Sequence, residues 1–562
     1  MSKLVRSLIS CLISISLIGL PAVASQASTS NWDTPTQLTT STGYNGAKVV
    51  VSPTGDSLAY WSETINGQLI ARMMTKARTS STWSSAESIS SESSNALNLS
   101  MAIDAEGNLS AIWLDNATPY SIQARYKESG QAWGPIVAIG GGGTGFSAGQ
   151  LHVVSDQTGN VTAFWAASIS STQFIEAVER PKDGSWGTVD SYDLGTRGAS
   201  NITAKVSGTG KITLAYERNS SSGVKTATTQ HRVFGTTWSA PHELSDGSNA
   251  AYTPNMFLDS QGDLHYSWHV SSITESRVQI RTLKADSAWT NIETLSPANQ
   301  TAVEHYLITD ADETLTLFYV AMEPGAQYHI YSMSKPVGGT WNTPTDFSDP
   351  SIDAGTMHLS KLASGEIQIV WKSQASGANK LMYSSKPAGL NWSTPIAIQT
   401  SASSLREESV AFSPDGSIST LWTQSLRVRG QINPVLSMWL TSMKRTYTIT
   451  FDSLGGEFTP TTINHTTGTS DIVLPVEGTV LKLGYRLTGW NTKADGSGQA
   501  VNSGAAFAPA GDTTLYAQWR SEDSEDDLAE TGSDLRLVFC LGLLAALGGS
   551  AIFIWNRQRP AL

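Results

Sequence analysis

Carboxylates, imidazoles and cationic side chains recur in this chain just beyond a set of evenly spaced aromatic residues. Glu63, Asp115, Glu217, Arg218, His269, Glu323 and Lys372 each follow such a residue. Arg197, Glu304, His305, Arg406, Glu407, Glu408, Arg427 and Arg429 fall in what read as longer loops. Both charge signs side by side suit hydrogen bonding to a carbohydrate or to a polar protein surface. Glycoside hydrolysis is the enzymatic alternative; it needs two carboxylates about 5–9 Å apart, a separation that sequence spacing does not specify. Other chemistries leave weaker traces. Asp310-Ala-Asp312-Glu313 lacks the glycine and distal glutamate of a calcium loop and reads as a solvated turn. The nine histidines show neither His-x-x-x-His nor His-Glu-x-x-His spacing, so a zinc hydrolase is not expected. The Gly140–Gly143 run is not followed by Gly-Lys-Ser/Thr and reads as a flexible loop, and no Gly-x-Ser-x-Gly elbow occurs. No catalytic set, metal site or cofactor is expected.

The elements that position these side chains announce themselves by period. Trp32, Trp83, Trp133, Trp186, Trp238, Trp289, Trp341 and Trp392 recur at intervals of 50 to 53 residues. A second ladder, Trp61, Trp113, Trp165, Tyr216, Trp268, Tyr319, Trp371 and Trp422, runs between them at 51 or 52. Fourteen of the eighteen tryptophans belong to the two ladders, which marks a repeat rather than chance. Within a unit, alternating apolar and polar residues give four strands, with Asp-x-x-Gly turns at Asp104–Gly107 and Asp156–Gly159. Four antiparallel strands repeated radially describe a β-propeller. There are eight inner strands and eight Trp-opened strands, but the Trp strand comes first in the chain. The Trp32 strand is therefore expected to complete the last unit. The fold class expected is all-β: an eight-bladed propeller over residues 28–444, closed by the N-terminal strand. Both ladders are read as packing between blades.

Lys182-Asp183-Gly184-Ser185-Trp186 resembles a degenerate sialidase Asp-box, which keeps a sialidase-like exo-glycosidase open as an alternative. Against it, the other units retain only the turn and the Trp, and the Phe/Tyr-Arg-Ile-Pro start motif of sialidases is missing.

Both ends of the chain read as processing signals. Lys3 and Arg6 precede an apolar stretch from Leu8 to Leu20 and small residues up to Ala24 and Ala27; residues 1–27 are expected to be a secretory signal peptide, cut after Ala24 or Ala27. At the other end, Leu528-Ala529-Glu530-Thr531-Gly532 precedes an apolar span, Leu537 to Trp555, and a basic end at Arg557 and Arg559. This order resembles the sorting signal of Gram-positive, especially actinobacterial, surface proteins. The resemblance implies that a sortase attacks the Thr531 carbonyl and joins the chain to peptidoglycan, after transient insertion of a C-terminal transmembrane helix at 537–555. A helix of that length spans roughly 28 Å. Cys11 and Cys540 are the only cysteines, and both lie in segments that such processing removes. A mature chain without cysteine draws its stability from apolar burial and hydrogen bonds. The formal net charge is −12 and grows more negative on processing, which disfavours nucleic acid as a partner.

Between propeller and anchor, residues 446–520 carry Tyr447-Thr-Ile-Thr-Phe451, Gly484-Tyr485-Arg-Leu-Thr-Gly489-Trp490 and Leu515-Tyr516-Ala-Gln-Trp519. These resemble the internalin-type B-repeat (Listeria-Bacteroides repeat) of bacterial surface proteins, which implies a small β-grasp-like module used as spacer or protein-binding unit; the single copy here favours a spacer or cap over an independent binding site. An acidic linker, residues 521–527, follows it. The expectation is a secreted, cell-wall-anchored surface protein with a non-catalytic adhesion head for a glycan or glycoprotein. A structural wall component is a further alternative. The candidate ligand face comprises Glu63, Asp115, Glu217, Arg218, His269, Glu323, Lys372, Arg406, Arg427 and Arg429.

Overall fold

The computed structural model describes residues 30–522, apart from 42, 94, 208, 273–275, 324–326, 350–352, 376–377, 402–404 and 427–434. Five separate four-stranded antiparallel sheets form the clearest blades of a propeller-like β fold. The sheet of Ala96–Ile103, Leu109–Asp115, Ser121–Lys127 and Val137–Gly141 is representative. Its third strand alternates apolar and polar residues, its second is buried on both faces from Leu109 to Leu114, and glycine at φ 82° closes the Asp104–Gly107 hairpin. Trp113 is 1% exposed and packs with Tyr60, Met73 and Leu99 of the preceding and its own sheet. The same ladder places Trp61, Trp165, Tyr216, Trp268, Tyr319 and Trp422 among fully buried side chains. Burying such rings stabilises each inter-sheet seam by about 1.5–3 kcal/mol per side chain. Both aromatic ladders are thus packing residues.

The expectation of eight discrete blades and a C-terminal helix is corrected here. Five blades stand alone, and the remaining repeat strands are drawn into two larger sheets. An eight-stranded sheet takes Ala250–Leu258 through Thr345–Asp346 because Ser276 pairs in parallel with Thr301. The Ser276 hydroxyl donates to the Ala302 carbonyl at 2.5 Å at that seam. A nine-stranded sheet gathers Leu405–Phe412, Ile418–Leu426 and the 18-residue strand Val435–Asp452. That strand contains no Gly or Pro to stop it, so it runs out of the propeller and into the next module. Among the described residues there is no helix, and none long and apolar enough to cross a membrane. The expected span 537–555, the sorting pentapeptide and the signal peptide lie outside the described residues.

The N-terminal strands Ser30–Trp32 and Thr36–Ser41 pair antiparallel with Val435–Asp452, Trp32 opposite Met443. First and last repeats therefore meet, and the Val49 amide donates to the Ser409 hydroxyl at 3.0 Å across the junction. Gly140 and Gly141, read from sequence as a flexible loop, belong instead to the strand Val137–Gly141. A Cβ on Gly140 would stand 2.5 Å from the Trp165 ring, so the glycine is there for close approach.

Beyond the propeller, Thr462–Thr466, Tyr485–Asn491, Ala500–Asn502 and Thr513–Ser521 extend the nine-stranded sheet. Its core is Ile449, Phe451, Leu474, Val480, Leu487, Trp490, Leu515 and Ala517. Contacts across the junction fix this module on the ring. Arg445 donates to Glu366 at 2.7 Å with both side chains buried, the Tyr447 hydroxyl donates to the Asp415 carbonyl at 2.7 Å, and Arg78 forks onto Asp471.

Candidate functional site

The inner strands share one irregularity. Their pairing with the second strand shifts register between Asn45 and Lys48, Leu97 and Ser100, Gly149 and His152, Ser200 and Thr203, Tyr252 and Asn255, Ala302 and Glu304, and Gly355 and Met357. A bulge at the same level in successive strands bends each one and re-aims a side chain. At these bulges Asn98, Gln150, Asn201, Thr253 and Thr356 take positive φ of 53°, 53°, 49°, 46° and 43°. For the β-branched threonines this is a strained geometry. All five are exposed at one end of the axial channel.

At four of these bulges a side chain of a neighbouring unit accepts a backbone N–H of the inner strand. Ser100 Oγ accepts from Val153 N at 3.2 Å, Gln150 Oε1 from Ile202 N at 3.3 Å, and Glu304 Oε1 from Met357 N at 3.0 Å. Glu217 Oε1 does the same for Thr253 N at 2.9 Å. Side chains thus stitch neighbouring inner strands around the channel mouth.

Two clefts open at this mouth, of about 300 and 280 Å³, and share Val303 and Glu304. Gln150, Asn201, Thr253, His305 and Tyr306 line the first, and Asp353, Thr356 and Lys372 the second. Glu217 lies beneath the first at 1% exposure. Beyond Thr253 N it accepts from Ser200 Oγ at 3.1 Å, from Asn201 Nδ2, and from Lys225 Nζ at 2.6 Å. Burial works to raise its pKa, but the Lys225 bond, the Thr253 amide and Asn201 together hold it below the usual carboxylate value. A carboxylate this fully engaged is a structural anion rather than a free acid or base.

The Thr253 hydroxyl stands 2.9 Å from His269 Nδ1 and 3.5 Å from His305 Nε2. His305 Nδ1 is 2.9 Å from Ser267 Oγ. Burial pushes His269 down to about 4 and His305 to about 3, so both rings are neutral at pH 7. Burial raises the Glu304 pKa, against amide donors from Met357 and Thr356 and the Tyr306 hydroxyl. The two imidazoles therefore offer neutral donor and acceptor nitrogens, with Tyr252 stacked on His269 at 5.4 Å.

Of the side chains expected to form the ligand face, Glu217 and His269 meet through Thr253, and Lys372 shares a cleft with Glu304. Glu63, Asp115 and Glu323 are held by partners outside that cluster. Glu63 is held by Thr39 at 3.2 Å and Arg72 at 3.8 Å, Asp115 accepts from Ala117 N at 3.2 Å, and Gln300 donates to Glu323 at 3.4 Å. Arg218 extends the strand Ile212–Asn219. Glu304, His305 and Arg406 sit in inner strands, Thr301–Thr309 and Leu405–Phe412, rather than in loops. Arg427 and Arg429 lie outside the described residues.

Asn98, Gln150, Asn201, Thr253 and Thr356 were missed by the sequence reading. The signal was a fixed offset, each lying fifteen residues ahead of its ladder aromatic, as Thr253 does of Trp268. The turn at Asp310 is held by its own amides from Asp312 and Thr314, both 3.0 Å. One triplet, Asp259, Asp263 and His265, brings three metal-ligating types together. Its oxygens are already engaged by the Gln261 and Asp263 amides, His265 Nε2 and Lys284.

Residues 447–518 match the Listeria-Bacteroides repeat domain. That repeat is the module fed by the long strand Val435–Asp452. A Gly-rich membrane protein of Evansella cellulosilytica is 45% identical over 51 residues, 9% of this chain and 6% of that protein. The match thus spans a small fraction of that protein's length. Among solved structures, a lectin from Burkholderia pseudomallei aligns at 11% identity and TM-score 0.39, covering 64% of this chain and all of that one. An ulvan lyase aligns at 13% and 0.39, covering 60% and 90%. The NanB sialidase of Streptococcus pneumoniae aligns at 10% and 0.34, covering 69% and 83%. Values this low carry no argument about what this chain does.

Proposed function

We propose that this is a secreted, wall-anchored surface protein whose propeller-like head binds a glycan at the channel mouth without cleaving it. The observation that supports the reading is the ring of bulge residues. Strained backbone presents Gln150, Asn201, Thr253 and Thr356 outward, beside Glu304 and the His269–Tyr252 stack. Amide, hydroxyl and imidazole groups over an aromatic face suit the hydroxyls and apolar ring faces of a sugar. Glu217, beneath the first cleft, is saturated with hydrogen bonds, and Glu304, which lines it, accepts from the Met357 amide; carboxylates held this way favour recognition over two-carboxylate hydrolysis.

The test incubates the purified protein with mucin-type glycoproteins and free oligosaccharides, scoring retention and release by mass spectrometry. Retention without release is expected, and Asn201→Ala with Gln150→Ala weakens it. Released sugar would replace the adhesion reading with the glycosidase alternative. Wall attachment is a separate part of the proposal, with a sortase and peptidoglycan as its partners. Thr531→Ala is expected to move the protein from the wall fraction to the membrane fraction or the medium. Unchanged dependence on wall-degrading enzymes for release would refute it.

A further inference from the structure

Behind the mouth, the axial channel continues as a cavity of about 610 Å³. Asn255 and Tyr306 line both the first mouth cleft and this cavity, which therefore join. Register against the second strands puts Lys48, Ser100, His152, Thr203, Asn255, Tyr306 and His358 at one level around the ring. Each faces the residue just before a ladder aromatic, as Lys48 faces Tyr60 and His358 faces Val370. One step further along, Lys205 opens into the cavity.

Among the described side chains, the charges in this space do not balance. Lys361 is neutralised by Glu313 at 3.0 Å. Lys205, which lines the cavity, and Lys48, exposed at the register level of the other inner-strand residues, have no carboxylate partner among the described residues. Of the described acids, Glu304 at the mouth takes the Met357 amide, and Asp259 at the far end takes two turn amides and His265. His358 Nε2 is buried without a partner on the same wall. Lys48 also lies close enough to His152 for its charge to act on that ring. In a chain with formal net charge −12, Lys205 and Lys48 stand unpaired among the described side chains of the inner strands.

We infer that the channel takes the acidic group of an anionic saccharide, a carboxylate or sulfate ester. Lys205 and Lys48 supply charge, and Asn255 and His358 supply hydrogen bonds. The inference deepens the glycan-binding reading and rests on it. Surrounding strands hold both lysine pKa values down, a desolvation cost that a bound anion would relieve. The cavity walls also include Phe257 and Phe412, which would strengthen a charged contact by excluding water. The mouth reads the sugar ring, and the channel reads its charge.

The deciding experiment is calorimetric titration of the purified protein with matched oligosaccharide pairs differing only in one acidic group. Suitable pairs are glucuronate against its methyl ester, 6-sulfated against unsulfated galactose, and sialylated lactose against lactose, with free inorganic sulfate as the small-anion control. The expectation is that one acidic member binds at least tenfold tighter than its neutral twin. Lys205→Met should erase most of that preference, with Lys48→Met adding to the loss and neutral-sugar affinity unchanged. Neither lysine has a carboxylate partner to strand among the described residues, and an unchanged melting temperature confirms that both variants fold. Equal affinity within every pair would overturn the inference and leave the glycan reading standing. A preference that survives both substitutions would place the anion elsewhere and overturn it too. Binding of free sulfate alone, or of nothing, would overturn both readings together.

Discussion

Replacing Glu217 by Gln tests whether this buried carboxylate is a structural anion or a reacting group. The native side chain accepts four hydrogen bonds, from Ser200, Asn201, Lys225 and the Thr253 amide. Glutamine preserves the volume and one carbonyl acceptor, enough for the Thr253 amide, but turns an NH₂ group toward donors. Ser200, Asn201 and Lys225 reach water, so their loss is small, with the half-exposed lysine pair worth about 0–1 kcal/mol. Burying a mismatched amide costs about 1–3 kcal/mol, and the total comes to about 2–3 kcal/mol at pH 7. For a chain of this size the unfolding entropy is on the order of 1 kcal/mol/K, so the melting temperature falls by about 2–3 °C. The folded pKa of Glu217 is depressed. Its stabilising contribution is therefore complete above the unfolded value of about 4.3 and is lost as pH falls through the folded value. Thermal unfolding followed by tryptophan fluorescence should show the gap between Glu217→Gln and the parent closing under acid. A variant as stable as the parent at pH 7, or a gap constant with pH, refutes the structural reading. Loss of sugar release with no change in stability would make Glu217 catalytic.

Arg445→Met strands the buried Glu366 carboxylate and should cost about 3–5 kcal/mol in urea unfolding, most of it recovered by adding Glu366→Leu; a double variant weaker than the single would contradict this. Trp268→Ala removes a ring with no solvent exposure and should cost about 3–5 kcal/mol, read as a lower urea midpoint, whereas a loss under 1 kcal/mol would mean the ladder is not a packing ladder. Thr356→Gly relieves left-handed backbone at φ 43° and is expected to raise stability by about 0.5–1 kcal/mol; a lower melting temperature would show that the Thr356 side chain matters more than the strain.

Much of the fold was legible because its signals are local and periodic. The Trp61 to Trp422 ladder marked the second strand of each unit, and alternation around it marked the faces. Counting strands also placed Trp32 against the last unit, where it pairs opposite Met443. The Gly-Tyr-x-x-x-Gly-Trp and Leu-Tyr-Ala-x-Trp segments of the repeat module have short-range roles, so they too could be read in one dimension. Trp490 fills its core, and Gly489 lets the backbone approach Val501 at φ 158°, where a Cβ would meet the Val501 carbonyl at 2.8 Å.

The site was legible only in fragments. Glu217 and His269 were picked out by position, but their link runs through Thr253, whose hydroxyl is brought between two imidazoles by a bulge that nothing local to threonine requires. Likewise the parallel pair Ser276–Thr301 merged two repeat units into one sheet, and the strand from Val435 ran through into the repeat module. Residue types and their period determined that the chain folds as repeated antiparallel sheets around buried aromatics, since each strand's pattern follows from its own alternation. The tertiary structure alone decided that Lys205, Tyr306 and His358, each roughly fifty or more residues from the next, face one cavity. Closing a ring brings together side chains whose shared environment no single segment encodes.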